Sequence, residues 1–103
     1  MDTDNLVKYA RERFDHAAAR RVLKEKYEAK MIFAYANGMW RAGPELQSIL
    51  LSCPDTDTDA VILDLYETPI KIDVNELLAL SQQRWQEQMT AWLVEFEYTN
   101  QQR

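Results

Sequence analysis

A chain of 103 residues that is 47% apolar and 28% charged, with three Trp, five Tyr and three Phe, has a one-domain length and enough large side chains to fold, which excludes intrinsic disorder and leaves little room for a large catalytic cleft. No apolar run approaches the about 18 residues of a membrane span, the Met1-Asp2-Thr3-Asp4 start lacks the basic and apolar segments of a signal peptide, and the lone Cys53 precludes an internal disulfide, so we expect no membrane span and an intracellular, cytoplasmic protein in a reducing compartment. The net charge of −5 is uneven: residues 1–41 hold nine Lys/Arg against six Asp/Glu (+3) and residues 42–103 three against eleven (−8), an acidic body that disfavours nucleic acid and suits a basic or mixed protein partner.

Thr3 or Asp4 caps a helix through NLVKYARERFDHAAARRVLKEKYEAK, a stretch rich in strong helix formers and free of Gly and Pro. Its apolar stripe (Leu6/Val7, Ala10, Phe14, Ala17/Ala18, Val22) is built largely from alanine and offers little area to bury. We expect this N-terminal helical arm, residues 3–28, to lean loosely on the body or to reach a neighbour. Asn37-Gly38 has two readings: a helix C-cap with Gly38 left-handed, or the two central residues of a tight hairpin. The alternation of Met31, Phe33 and Tyr35 against Ile32, Ala34 and Ala36 before it, and the short MWRA segment after it, favour the hairpin. Gly43-Pro44, with Glu45 beside it, then opens the short helix PELQSILLS, leaving Trp40 on a strand between the two glycines.

Cys53-Pro54 ends that helix and DTDTD forms a polar loop. AVILDLY and IKID flank Glu67-Thr68-Pro69 as a second hairpin, alternating Val61/Leu63/Leu65 with Ile62/Asp64/Tyr66. Asp73 caps the last helix, and Asp73-x-x-Glu76 resembles a capping box. From Val74 to about Thr99 nothing breaks this helix. Leu78, Gln82, Trp85, Met89, Trp92 and Phe96 form one continuous stripe, and Leu77, Leu80, Ala91, Val94 and Tyr98 a second beside it. About 25 helical residues make a rod of about 38 Å, longer than a small four-stranded sheet covers, so part of its apolar surface must meet something else.

The chemistry-bearing residues are sparse. Asp55, Asp57 and Asp59 have the opening spacing of a calcium loop, but Ala60 stands where that loop needs glycine and Tyr66 where it needs a bidentate Glu, so a solvated acidic loop accounts for them and no metal is expected. His16 is the only histidine, and no G-x-S-x-G, phosphate-loop or H-E-x-x-H pattern accompanies it or Cys53, which we expect on the helix surface and as a small buried hydrophobe at a helix end, respectively. Asp64, Glu67, Asp73 and Glu76 have turn, cap or surface explanations. We therefore expect no enzyme, no cofactor and no catalytic residue. A small enzyme would need a pocket with convergent polar groups, such as an unfilled apolar cleft near Trp40 and Tyr66.

Three blocks, Glu28–Leu50 (EAKMIFAYANGMWRAGPELQSIL), Val61–Leu78 (VILDLYETPIKIDVNELL) and Arg84–Thr99 (RWQEQMTAWLVEFEYT), resemble, in this order, the small head-vertex assembly chaperones of T-even-like tailed bacteriophages. They span about two-thirds of the chain; the basic helix before Glu28 lies outside the match, and the apolar third block departs from the pattern. The resemblance implies a non-enzymatic accessory protein of phage origin that helps the portal vertex assemble and is absent from the finished particle, with no catalytic residues to carry over.

The expectation is thus a single α+β domain over residues 1–103. Two antiparallel β-hairpins form a small sheet with a short helix, within a body of residues 29–103 whose long C-terminal helix, 74–99, packs on that sheet. The expected function is a protein–protein interaction factor, a phage-encoded assembly chaperone acting on a larger structural partner such as the portal vertex, with Trp85, Met89, Trp92, Phe96 and Trp40 as the partner interface and self-association as a further outcome. The alternative is a small acidic inhibitor or anti-host protein that blocks a host enzyme, resting on the −8 balance after Arg41.

Overall fold

The computed structural model describes residues 3–53 and 59–101, apart from the side chains of Phe14, Asp15, Asn100 and Gln101. In chain order the elements are α1 (Thr3–Lys30), β1 (Ile32–Tyr35), β2 (Gly38–Arg41), α2 (Pro44–Leu51), β3 (Asp59–Leu63), β4 (Pro69–Asp73) and α3 (Val74–Gln101). The fold class is α+β, and the first and last helices run about one turn or less beyond the expected ends. The hairpins, expected to merge into one small sheet, are two separate antiparallel ladders, β1-β2 and β3-β4.

The first hairpin pairs Phe33 with Trp40 and Tyr35 with Gly38, so its central turn residues are Ala36 and Asn37, one step earlier than the Asn37-Gly38 pair that the sequence suggests. Both carry positive φ, 51° and 66°, the signature of a type I′ turn whose twist matches the flanking strands. Asn tolerates this conformation and Ala does so at a cost. Gly38 is needed for a different reason. A Cβ there would collide with Ile70 Cδ1 of β4 and stand 3.2 Å from Trp40 Cζ2 and 3.3 Å from Asp64 Cβ. The absent side chain lets the second hairpin close onto the first.

That junction is tied by Asp64. The second hairpin turns through the five residues Asp64–Thr68, since Leu63 pairs with Pro69; the turn therefore precedes the Pro69 included in the expected one, and Glu67 supplies its positive φ of 61°. One Asp64 oxygen accepts the backbone N–H groups of Tyr66 (2.9 Å) and Thr68 (3.0 Å), while the other accepts that of Met39 on β2 (3.1 Å). The Leu65 N–H donates to the Met39 carbonyl at 2.9 Å. These donors, that of Thr68 foremost, hold the Asp64 carboxyl below its ordinary value against a smaller opposing effect of burial.

Gly43 precedes α2 with φ 145°, a backbone that L side chains avoid, and lies under the ring of Trp85, which a Cβ would approach to 3.2 Å. Pro44 then starts the helix as the sequence suggests. Asp73 caps α3 by accepting the Glu76 N–H at 3.0 Å. The core collects Met31, Phe33, Trp40, Ala42, Leu46, Leu50, Ile72, Val74 and Leu77 from β1, β2, α2, β4, α3 and the residues beside them; α1 supplies none of these, and Ala60 and Ile62 of β3 pack on the edge. α3 serves this core from Val74 to about Met89.

The second half of α3 meets α1 instead of a sheet. Arg84 Nη1 donates to the Lys30 carbonyl (3.4 Å), Tyr27 stacks on Trp92 with ring centroids 5.8 Å apart and planes 6° from parallel, and Lys26 pairs with Glu95. The pairs rise on one helix as they fall on the other, so α1 and α3 are antiparallel. The nine helical steps from Trp92 to Gln101 cover α1 back to about residue 18 at equal rise on both helices, and Thr3–Arg13 is exposed throughout. The molecule measures 66 × 24 × 22 Å with a radius of gyration of 19.5 Å, against about 13 Å for a compact chain of this length.

Candidate interaction site

The α1–α3 contact is clamped electrostatically. The Tyr27 hydroxyl donates to Glu95 Oε2 at 2.5 Å, and Lys26 Nζ donates to both Glu95 oxygens at 3.0 and 2.9 Å. The Tyr27 bond foremost, then that of Lys26, holds the Glu95 carboxyl below its ordinary value. The same bonds raise Tyr27 and Lys26 above theirs. With the Tyr27–Trp92 stack, this fixes α1 at its C-terminal end and leaves its N-terminal half projecting.

Beside the clamp an open cleft of about 480 Å³ lies between α1, α2, α3 and the hairpins. Its apolar wall is Trp85 and Trp92 of α3, Ile49 of α2, and Leu63 and Leu65 at the second turn. Exposed Glu28, Arg41 and Glu45 stand around it. An apolar centre with a charged surround is the anatomy of a protein-binding patch, and the volume also falls within the range of small-molecule sites. Asp64 lines it too, but its carboxylate is engaged by the three backbone N–H groups.

The expected interface residues divide. Trp40, 2% exposed with its Nε1 donating to the Tyr35 carbonyl at 2.8 Å, belongs to the core, because the β1-β2 pairing turns it inward, and it also lines the cleft. Trp85 and Met89 are half-buried against the core, Trp92 is half-buried against Tyr27, and Phe96 is half-buried further along α3. Of the second stripe, Leu77 is fully buried, whereas Leu80, Ala91, Val94 and Tyr98 are exposed, and so is Leu93.

Ile49, Leu63 and Leu65 enter the cleft without having been singled out as interface residues. Their signal was the alternation Val61/Leu63/Leu65, which does not say which side faces water. Tyr66, 74% exposed, does not line the cleft. His16 is half-buried on α1, Cys53 packs partly buried against the core, and neither lines the cleft. Asp59 sits on β3 paired to Lys71 at 3.5 Å, while Asp55 and Asp57 lie outside the described residues. Among the described residues no three His, Cys, Asp or Glu gather as a metal site, and no helix is long and apolar enough to cross a membrane. Comparisons with protein-family models, curated proteins and solved structures returned no match.

Proposed function

We propose that this chain is a non-catalytic protein–protein interaction factor, a phage-encoded assembly accessory that docks on a larger structural partner of the portal-vertex kind. The observation that carries the reading is the cleft walled by Trp85 and Trp92, an apolar recess left open in a molecule whose shape is far from compact. Large aromatic side chains around a recess are where binding energy concentrates in protein interfaces. The portal vertex enters through the three sequence blocks that resemble the head-vertex chaperones. The first and second blocks supply Glu28, Ile49 and the Leu63–Leu65 wall, and the third supplies Trp85 and Trp92.

The test is co-expression with the portal protein of a T-even-like phage, scoring soluble, correctly assembled portal rings. The native chain is expected to raise the yield, and Trp92→Ser, which strips the cleft wall, to abolish the gain while the isolated protein keeps its helix content. A native chain that neither binds the portal protein nor changes the yield refutes the reading. Association that collapses on adding salt, with Trp92→Ser binding normally, would favour the acidic-inhibitor alternative.

A further inference from the structure

We propose that α1 and residues 92–101 of α3 form a latch that opens while the body stays folded, releasing Tyr27 from Trp92. The inference goes beyond the portal reading and does not depend on it. It starts from where α1 is held. Along the 28 residues of α1, the buried side chains among those described are Leu23 and Tyr27, four apart and so on one side of the helix. Ahead of Leu23 the described side chains are exposed, except His16, Ala18 and Ala19, which are half-buried. The polar ties to α3 fall in the same stretch: Lys26 and Tyr27 bind Glu95, and Arg84 holds the Lys30 carbonyl. The fastening of α1 is therefore concentrated in residues 23–30, about 12 Å of a rod of about 42 Å.

None of this fastening is shared with the core. Leu23 and Tyr27 lie outside the core cluster, and Trp92, Glu95 and Phe96 lie beyond Met89, the last residue of α3 packed against it. The pivot is Met31. Its side chain, 3% exposed, is part of the core, its carbonyl accepts the Ala42 N–H at 2.9 Å, and its own N–H donates back to the Tyr27 and Glu28 carbonyls, both at 3.2 Å. The chain thus stays anchored to the body at Met31 whether α1 is docked or released.

Release gives up two buried side chains, one ring stack and a partly exposed ion pair for which water competes, whereas unfolding the body exposes all nine residues of the core. A unit with so few buried contacts opens at a fraction of the global free energy. Once apart, α1 and residues 92–101 are isolated helical segments, which are marginal in water, so their backbone hydrogen bonds open as well. Release also removes Tyr27 from behind the Trp92 wall of the cleft and uncovers Leu23, Tyr27 and Trp92 as a new apolar surface. The latch therefore selects which surface the molecule presents.

The test is hydrogen exchange of the full chain, followed amide by amide by NMR across a series of low urea concentrations. The amides of residues 23–30 and 92–99 are expected to open about tenfold or more readily than those of Leu50, Ile72 and Leu77, and with a weaker dependence on urea because less surface is exposed. Tyr27→Phe keeps the ring stack, removes the hydroxyl from Glu95 and raises the opening constant of the latch about tenfold. Ile72→Val raises the opening constant of the body and leaves that of the latch unchanged, because the body is intact in both states of the latch. One opening constant and one urea dependence shared by latch and body overturns the proposal, as does a latch that loosens in step with the body on Ile72→Val or one indifferent to Tyr27→Phe. No partner enters the measurement, so its outcome is separate from that of the portal test.

Discussion

Gly38→Ala probes the junction on which the body depends. If Gly38 were a left-handed turn residue, the substitution would be harmful whatever its neighbours. In the structure its φ is not positive, the positive values falling on Ala36 and Asn37, and the obstacle is the side chain of Ile70. Restricting the unfolded chain favours alanine by about 0.4–1 kcal/mol, whereas overpacking costs about 1–3 kcal/mol. The net expectation is a loss of about 1–2 kcal/mol, each kcal/mol lowering the thermal midpoint by about 4–8 °C for a chain of this size. Ile70→Val removes the Cδ1 atom in the way and, at a half-buried site, costs about 0.5–1 kcal/mol alone. Urea unfolding of both single variants and the double variant should therefore give a favourable coupling of about 1 kcal/mol, beyond the 0.3–0.5 kcal/mol scatter of independent sites. Additive losses, or a neutral Gly38→Ala, would refute the close-approach explanation.

Ala36→Asn should stabilise the first hairpin by about 0.5–1 kcal/mol, because Asn accepts the left-handed φ of 51° that Ala resists; thermal unfolding reads it. Ser81→Ala should be neutral or stabilising by about 1 kcal/mol in urea unfolding, since the Ser81 hydroxyl is fully buried on α3 without a hydrogen-bond partner. The lowered pKa values of Glu95 and Asp64 fix the sign of the acid response: their contribution is complete above their unfolded values of about 4.3 and 3.9 and is lost as pH falls through the lowered folded ones. The urea midpoint should drop steadily below about pH 4, and Glu95→Gln should flatten that drop. Tyr27 and Lys26, raised in the folded state, keep their contribution until pH climbs past about 10.

Local signals in the sequence were reliable where local physics decides. Pro44 at the start of α2 and the Asp73 cap of α3 act within a few residues, and both elements begin where they place them, while the uninterrupted helix formers of α1 are helical over Thr3–Lys30. The turn of the first hairpin was displaced by one residue because Asn37-Gly38 looks like a turn pair, while the need for Gly38 comes from Ile70, 32 residues further on (38 to 70). Alternation along β3 showed two faces without orienting them. On α3 the periodicity placed Gln82 in one stripe with Leu78 and Trp85, yet Gln82 is exposed and its neighbour Ser81 is fully buried, which hydrophobicity cannot show when the buried residue is polar. The aromatic stripe itself was legible, but not that its outer half would meet α1. Of the cleft, only the neighbourhood of Trp40 was legible; Tyr66 does not line it, and its other walls come from separate elements.

The central claim is that Trp85 and Trp92 line a surface reserved for another protein while Trp40 holds the core. Fluorine NMR of the chain with 5-fluorotryptophan resolves the three indoles separately. Raising the concentration or adding the portal protein should shift the Trp85 and Trp92 resonances most and that of Trp40, which lines the cleft but is 2% exposed, less. A spectrum in which no resonance responds to either, or in which Trp40 alone moves, would contradict the account.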